Sequence, residues 1–398
     1  MICKITKKKI IPFMSFGRMP IANGFLKKKD FKKEFFFEME VGFSKDVSLF
    51  QLNEHPKPTL MFNKNYPFFT SSSKGMIRHF KKYVNWVKKK YFKNVKNLIE
   101  IGSNDGTFLK NFNSDKINNI GIEPSKNVAF VAKKNGIKTI NKFFNYKNAS
   151  KLKDLKNNTD IICAANTICH VPDLADLIKG IDFLLNKNGF FIFEEPYLGS
   201  MFKKISYDQI YDEHIFMFSV SSIKKIFDLF NLQLIDVAPQ TTHGGSMRYV
   251  IARKNSHKVK NIVQKYLNYE KKNAIDNIKG CIKFKKKCEL SKKKLSNKIN
   301  NIIKSGKKIA GYAATSKSTT ILNYCNINDK HINYICDTTA EKIGKYTPGT
   351  HIPIVSVKYF RKQIPDYTFL FAWNHKREIF KKEKKLLKKT KWIAHIKI

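Results

Sequence analysis

A run of titratable side chains, YDQIYDEH, ends at His214. Tyr211, Glu213 and His214 stand directly before the apolar residues Ile215 to Phe218. Burial against an apolar wall shifts the pKa values of such groups, and shifted values suit proton transfer. The spacing therefore predicts an acid/base site. A polar turn that caps a helix at Ser219 would explain the same residues.

A second candidate site lies in the segment NLIEIGSNDGTFLKNFNSDKINNIGIEP, from Asn97 to Pro124. It predicts a buried strand, a loop of small residues, a helix and a second strand that ends on a carboxylate. Glycines let backbone N–H groups approach a ligand closely, and an acid at the second strand's end can accept ribose hydroxyl protons. The predicted contacts are Glu100, Gly102, Ser103, Asn104, Gly106, Glu123 and Pro124.

The loop pattern is E-x-G-x-N-x-G, which differs from the G-x-G-x-x-G of dinucleotide sites. One glycine-rich turn after an acid suits S-adenosylmethionine, which has no pyrophosphate to hold. The alternative is a strand-to-helix turn whose glycines serve packing alone. We expect an α/β fold with a methyl-donor site.

Composition excludes several classes of protein. The 398 residues, 42% of them hydrophobic, are enough for two or three domains with apolar cores. The net charge of +45 comes from lysines spread along the whole chain, so nucleic-acid binding is not the expected function, although anionic substrates would be attracted. Seven irregularly spaced cysteines predict no disulfide framework, and no apolar run is long enough for a membrane span. We expect a cytoplasmic protein.

Motifs along nearly the whole chain occur in a recognisable order. They are MPIANGFL, VSLFQL, YPFFTSSS, EIGSNDGTFL, GIEPSKNVA, FEEPYL, DQIYDEHIFMFS, HGGSMR, GYAATSKS and GKYTPGTHIPI. Together they resemble the nucleotide-sugar C-methyltransferases. This family has a zinc-binding N-terminal module, a class I (Rossmann-like) S-adenosylmethionine domain and a C-terminal Rossmann-like domain. The resemblance implies a module at 1–75, a methyltransferase domain at 76–255, a helical connector at 256–306 and a nucleotide-sugar-binding domain at 307–398.

The zinc site of that family is largely missing here. The resemblance places two cysteine pairs in the N-terminal module, and this sequence has Cys3, Thr6, Ser44 and Val47 at those places. A structural zinc ion needs about four N or S ligands, and one thiolate cannot hold it. We therefore expect a metal-free module that its phenylalanines hold together.

The resemblance also implies a reaction. Methylation of carbon requires removal of a proton α to a carbonyl, and a 4-keto sugar makes C3 the acidic carbon. His214 is the candidate general base, since its ordinary pKa is near neutral. Glu213 could orient or replace it, and Tyr211 could donate to the enolate oxygen. His170 and Tyr66 match residues that line the acceptor pocket, although each could equally be an ordinary core residue.

Other residues complete the predicted ligand sites. Phe144 and Asn166 follow the third and fourth strands of the expected sheet, on the side where the donor binds. The helix start after GYAATSKS suits an anion, although a surface lysine is a sufficient explanation of each lysine there. The candidate contacts to the nucleotide sugar are His243, Arg248, Lys317, Thr319, Lys345 and Asn374.

These observations predict an S-adenosylmethionine-dependent C-methyltransferase that acts on a nucleotide-linked keto-deoxysugar, as a monomer or homodimer. One rival is O- or N-methylation of a related sugar, which would need no enolising base. Another is a catalytically degenerate nucleotide-sugar-binding protein. Exchange of the α-proton with solvent separates the first pair, and donor binding tests the second.

Overall fold

The computed structural model describes residues 1–64 and 66–398. Three β-sheets, with helices packed around the second and third, form the α/β fold that the sequence predicts. Within the described residues, no helix has the length and apolar character needed to cross a membrane.

The N-terminal sheet is antiparallel and has the strand order β1-β2-β3-β9. Its strands are β1 (Ile11–Pro20), β2 (Phe36–Ser44), β3 (Leu49–Leu52) and β9 (Phe216–Met217), and helix α1 (Pro58–Met61) follows β3. Phenylalanines from all of the first three strands are buried in one core cluster: Phe13, Phe16, Phe37, Phe43 and Phe50. Strand β9 comes from the apolar run directly after His214, so the predicted acid/base segment is attached to this sheet.

The central sheet has the order β10-β11-β8-β7-β4-β5-β6. Its strands are β4 (Asn97–Ile101), β5 (Asn118–Ile122), β6 (Thr139–Ile140), β7 (Thr159–Ala165), β8 (Leu185–Pro196), β10 (Leu232–Gln240) and β11 (Ser246–Arg253). Its helices are α2 (Lys74–Tyr91), α3 (Lys126–Lys134), α4 (Tyr146–Ala149), α5 (Leu174–Leu184), α6 (Leu198–Lys204) and α7 (Val220–Asp228). Strands β4 to β8 are parallel, and β11 is antiparallel to both of its neighbours.

Helix α2 shows how the sequence builds this layer. The side chain of Ser73 accepts a hydrogen bond from the backbone N–H of Met76, which caps the helix start. Apolar residues at helical spacing, including Phe80, Tyr83 and Val87, are buried against the sheet. Full burial of a side chain of this size contributes about 1.5–3 kcal/mol to folding.

The C-terminal part begins with two helices, α8 (Asn261–Lys272) and α9 (Ile278–Lys304). A parallel sheet of order β14-β13-β12-β15-β16 follows. Its elements are β12 (Ile309–Tyr312), α10 (Ser316–Tyr324), β13 (Ile335–Asp337), β14 (Ile354–Ser356), α11 (Val357–Lys362), β15 (Tyr367–Leu370), α12 (Lys376–Lys382) and β16 (Lys391–Ile393). The carboxyl ends of strands in this sheet and in the central sheet contribute residues to one cavity.

Candidate active site

A cavity of about 1080 Å³ lies where the three sheets meet. Residues that follow β4, β5 and β7 line one part of it, and residues that follow β12 and β13 line another. Phe62 and residues between Tyr66 and Ser73, before α2, contribute a third wall. Ligands bind outside the carboxyl ends of parallel strands in open α/β sheets, and the cavity lies there in both sheets.

Carboxylates define the donor end of the cavity. Glu123, at the end of β5, accepts backbone hydrogen bonds from Asn104 at 2.9 Å and Ser125 at 2.7 Å. Burial raises its pKa despite these bonds. Glu100 on β4 is also buried, its Oε2 has no hydrogen-bond partner, and burial raises its pKa well above the ordinary value.

The loop after β4 requires its glycines for two different reasons. Gly102 lines the cavity at φ +71°, and a Cβ atom there would lie 2.3 Å from the Thr167 hydroxyl oxygen. Gly106 does not line the cavity. At φ +78° it packs against Ile137, where a Cβ atom would lie 2.7 Å from Cγ1. The structure thus places Gly106 against a core side chain, and its contact with the donor stays a prediction.

The remaining predicted donor residues line the cavity: Glu100, Gly102, Ser103, Asn104, Glu123, Pro124, Phe144 and Asn166. Several of their polar atoms are buried without a protein partner, namely Glu100 Oε2, Ser103 Oγ and Asn166 Oδ1. Buried polar atoms are normally hydrogen-bonded, so these atoms fit a polar ligand. Acids, small residues and the Phe144 ring together fit the parts of a nucleoside with an amino-acid tail.

Tyr211 and His214 form a hydrogen-bonded pair at the wall of the cavity. The Tyr211 hydroxyl lies 2.7 Å from His214 Nε2, and His214 Nδ1 lies 2.8 Å from the Gln209 carbonyl oxygen. A carbonyl only accepts, so Nδ1 carries the proton, and Nε2 accepts from the Tyr211 hydroxyl. Burial lowers the pKa of His214 well below its ordinary value. Tyr211 lines the cavity, and His214 lies behind it. His214, the predicted general base, is therefore connected to the cavity through the Tyr211 hydroxyl.

His170 lines the same wall. Its ring stacks on His214 at 5.3 Å between centroids and on Phe62 at 5.6 Å. Burial lowers its pKa to about 3, so the ring is neutral. Tyr66 also lines the cavity, 5.4 Å from Phe62, and burial raises its pKa well above the ordinary value. The structure thus brings both residues to the acid/base pair.

Glu213 is held by a residue that the sequence motifs contained but to which we assigned no role. Asn23 lies between β1 and β2, and its Nδ2 donates to Glu213 Oε1 at 2.7 Å. The neighbouring Ala22 N–H donates to Asp212 at 3.1 Å. Burial raises the pKa of both carboxyl groups. The motif MPIANGFL was the available signal, and Asn23 lines the cavity beside Glu213.

Cationic and imidazole side chains line the C-terminal end of the cavity. Lys317 Nζ is buried without a hydrogen-bond partner and lies 5.0 Å from the centre of the Trp373 ring. Burial lowers its pKa, which the charge of Asp208 opposes. The predicted residues His243, Lys317 and Asn374 line this end, as do His375 and Lys342. Burial, with the charge of Lys317, lowers the pKa of His243 to about 3.

Three predicted substrate contacts do not line the cavity. The Thr319 hydroxyl donates to the Ala22 carbonyl at 2.8 Å, so it binds the loop that carries Asn23. Arg248 Nε donates to Glu194 at 2.7 Å, and its guanidinium lies 3.9 Å from the centre of the Tyr83 ring. Lys345 lies outside the cavity lining as well. The structure therefore does not bring these three predicted contacts into the cavity lining, and two of them are engaged within the protein.

The surroundings of Cys3 do not fit a zinc ion. The Cys3 sulfur accepts a hydrogen bond from the Thr6 N–H at 3.4 Å. The chain therefore turns between Cys3 and Thr6, the position at which the resemblance places the second cysteine of the first pair. Cys3, Ile5, Val47 and Leu49 are buried in one apolar cluster. Among the described residues, no group of three His, Cys, Asp or Glu ligands surrounds Cys3. A tetrahedral zinc site needs such ligands, and this module does not supply them.

Family models match successive parts of the chain. Residues 76–237 match "Methyltransferase domain", residues 241–396 match "C-methyltransferase C-terminal domain", and residues 2–62 match "Putative zinc binding domain". With the sheet order and the donor pocket, these matches define an S-adenosylmethionine-dependent methyltransferase. C-methyltransferase NovU of Streptomyces niveus is 29% identical over 377 residues, which cover 94% of this chain and 90% of that protein. The order of these matches agrees with the resemblance to the three-part C-methyltransferases that the motifs predicted.

Solved structures resemble parts of the fold. Magnesium protoporphyrin IX methyltransferase ChlM from Synechocystis PCC 6803, with bound S-adenosylmethionine, is 12% identical with a TM-score of 0.34, and the match covers 45% of this chain and 80% of that one. The PH0226 protein from Pyrococcus horikoshii OT3 is 13% identical with a TM-score of 0.37, and that match covers 47% and 95%.

Proposed function

We propose that the enzyme methylates a carbon atom α to the ketone of a nucleotide-linked deoxysugar, at C3 beside a 4-keto group. The supporting observation is that the predicted donor residues and Tyr211 line one cavity, and that His214 is hydrogen-bonded to Tyr211 behind it. S-adenosylmethionine supplies an electrophilic sulfonium methyl group there, and the glycine loop with Glu123 holds it. The reaction then needs a carbon nucleophile, which the acid/base cluster can generate.

Proton removal runs through the buried pair. The Tyr211 oxygen takes the C3 proton as its own proton passes to His214 Nε2 across their 2.7 Å hydrogen bond. The neutral His214 ring can accept this proton because its other nitrogen already donates to Gln209. The phenol of Tyr66, whose pKa is raised by burial, stays protonated and donates to the enolate oxygen. Glu213, fixed by Asn23, accepts a sugar hydroxyl.

Lys317 is the proposed contact for the diphosphate. Its ammonium group is buried, lines the cavity and has no hydrogen-bond partner in the protein, so an anion would complete its environment. His375 and Asn374 lie in the same lining and offer further polar contacts. The donor loop and this end line the same cavity, which suits an extended substrate such as a nucleotide sugar.

The proposal includes a metal-free N-terminal module, since Cys3 is packed among apolar side chains. All seven cysteines are free and buried, which supports work in the reducing cytoplasm. We expect the chain to act as a monomer or homodimer.

Two rivals remain distinguishable from this proposal. O- or N-methylation also releases a proton that the Tyr211–His214 pair could take, but it needs no deprotonation of a sugar carbon. It would therefore not exchange the α-proton of the sugar with solvent. A degenerate binding protein would not need to keep Glu100 Oε2 buried without a partner.

The direct test is mass spectrometry of nucleotide-linked 4-keto-6-deoxy sugars after incubation with enzyme and S-adenosylmethionine. The expected product carries one added methyl group on a sugar carbon, located by fragmentation. Methyl transfer to oxygen or nitrogen would contradict the proposal. Donor binding, measured separately by calorimetry, distinguishes a wrong acceptor from an inactive protein.

A further inference from the structure

Cys169, His170 and His214 bring one possible ligand atom each to within 4.8 Å of the others. All three residues are buried beside the cavity. We propose that they form a binding site for a borderline-soft divalent ion such as Zn²⁺, and that this ion reversibly blocks the proton acceptor. The blocking part rests on the proposed function, whereas the binding part does not.

The two histidines are prepared for a metal ion in different ways. His214 Nδ1 donates to the Gln209 carbonyl at 2.8 Å, which leaves the lone pair on Nε2. Metal-bound histidines usually make such a bond with the nitrogen that does not bind the metal. His170 Nε2 is buried and has no hydrogen-bond partner. Burial favours the neutral ring in both residues, which is the form that binds metal.

The cysteine completes a set of two nitrogens and one sulfur. Such ligands favour zinc, cobalt, nickel or copper over magnesium, calcium or manganese. The thiol must lose its proton as the sulfur–metal bond forms, and the carboxyl group of Glu195 is its neighbour. Glu195 Oε2 is buried without a hydrogen-bond partner, so this oxygen can accept the proton. Water from the cavity provides the fourth ligand.

Metal binding at this place opposes the reaction. The ion takes the lone pair of His214 Nε2, which otherwise accepts the Tyr211 hydroxyl proton. Tyr211 then has no group to receive its proton, and the sugar carbon is not deprotonated. A chelator that removes the ion restores the lone pair. The same three residues thus make methyl transfer sensitive to free zinc.

Cobalt(II) is a suitable probe, because a thiolate ligand gives a charge-transfer absorption in the near ultraviolet. We would titrate Co²⁺ into the metal-free full chain, Cys169→Ser and the matched control Cys3→Ser. We expect the absorption in the wild-type protein and in Cys3→Ser, and its loss in Cys169→Ser. Cys169→Ala is a second variant, and circular dichroism with donor binding verifies the fold of each.

Zinc inhibition provides the second measurement. Cys169→Ser should need at least about tenfold more Zn²⁺ for the same loss of methyl transfer, with unchanged activity in chelator. No absorption in the wild-type protein, or an absorption that survives in both Cys169 variants, would overturn the site. Loss of absorption in Cys3→Ser instead would place the ion in the N-terminal module. If the metal ion binds but does not inhibit methyl transfer, the blocking role alone is overturned. If the enzyme turns over no sugar at all, the proposed function fails, while the cobalt titration still tests the metal site.

Discussion

Tyr211 and His214 carry the proposed proton transfer at the scale of single residues. The sequence predicted that both belong to one acid/base site, because they lie three positions apart beside an apolar run. It could not predict which of them faces the acceptor. Which side chain faces the acceptor depends on the turn in which the His214 N–H donates to the Tyr211 carbonyl at 2.9 Å. It also depends on the Gln209 carbonyl, which fixes the histidine tautomer.

Tyr211→Phe tests whether the Tyr211 hydroxyl, rather than the His214 ring, takes the proton from the acceptor. The change removes the hydroxyl and keeps the ring, so we expect kcat to fall by about 10²–10⁴-fold, the usual contribution of general acid–base catalysis. Donor affinity, measured by calorimetry, should not change. Tyr249→Phe is the control, since the Tyr249 hydroxyl is buried without a partner and outside the cavity lining. Full turnover by Tyr211→Phe would refute the role of the phenol.

The pH profile tests the state of His214. Burial and the nearby His170 lower the pKa of His214, so its ring stays unprotonated at pH values where an exposed histidine is charged. We therefore expect kcat to hold as the pH falls from about 8 to below 6.5, the ordinary histidine pKa. The Glu213→Gln variant lacks an ionisable carboxyl group at this position, and its kcat should depend on pH in the same way on the acidic side. A loss of rate centred at or above 6.5 in both proteins would contradict this state of the histidine.

At the scale of elements, the loop after β4 is the proposed donor-binding element, and close packing at Gly102 shapes it. The sequence predicted this strand, its glycines and the acid after β5, because those signals are local. It could not predict the Asn23 contact, which joins residues 190 positions apart. It also missed that β9 pairs with β3, since a two-residue strand has little signal of its own.

Gly102→Ala tests the packing of the loop. Both Gly102 and the control Gly136 have positive φ values, +71° and +78°, so alanine strains either backbone by about 1–2 kcal/mol. Only at Gly102 does the new Cβ meet a neighbour, the Thr167 side chain, whereas Gly136 has open space. We expect Gly102→Ala to weaken donor binding and Gly136→Ala to keep it. Equal donor affinities in calorimetry would show that close approach at Gly102 is unimportant.

At the scale of the whole molecule, the three parts meet around one cavity. The ordered motifs were enough to predict the family and the α/β fold. They were not enough to distinguish the roles of Lys317 and Thr319, which lie two residues apart. Lys317 lines the cavity, whereas Thr319 donates to the Ala22 carbonyl. Both lie on the first turns of α10, and only the packing of the N-terminal loop against that helix distinguishes them.

Chelation tests how the N-terminal module is held together. A structural zinc ion contributes about 10–16 kcal/mol to folding, so its removal would unfold such a module. We propose that the apolar cluster around Cys3 takes its place, and we expect a chelator to leave the Tm of Cys169→Ser unchanged. Elemental analysis of Cys169→Ser, which lacks the proposed second site, should find no stoichiometric zinc. One bound zinc ion in that variant, together with a lower Tm in chelator, would contradict a metal-free module.

Proton exchange tests the central claim, that the enzyme makes a carbon nucleophile, most directly. The enzyme would be incubated in deuterated buffer with a nucleotide-linked 4-keto-6-deoxy sugar and no methyl donor, and the sugar analysed by NMR and mass spectrometry. We predict that deuterium enters at C3 with the wild-type enzyme and far more slowly with Tyr211→Phe. If the enzyme methylates the same sugar in the presence of donor but exchanges no proton at C3 under any condition, the proposed carbon nucleophile at C3 is contradicted.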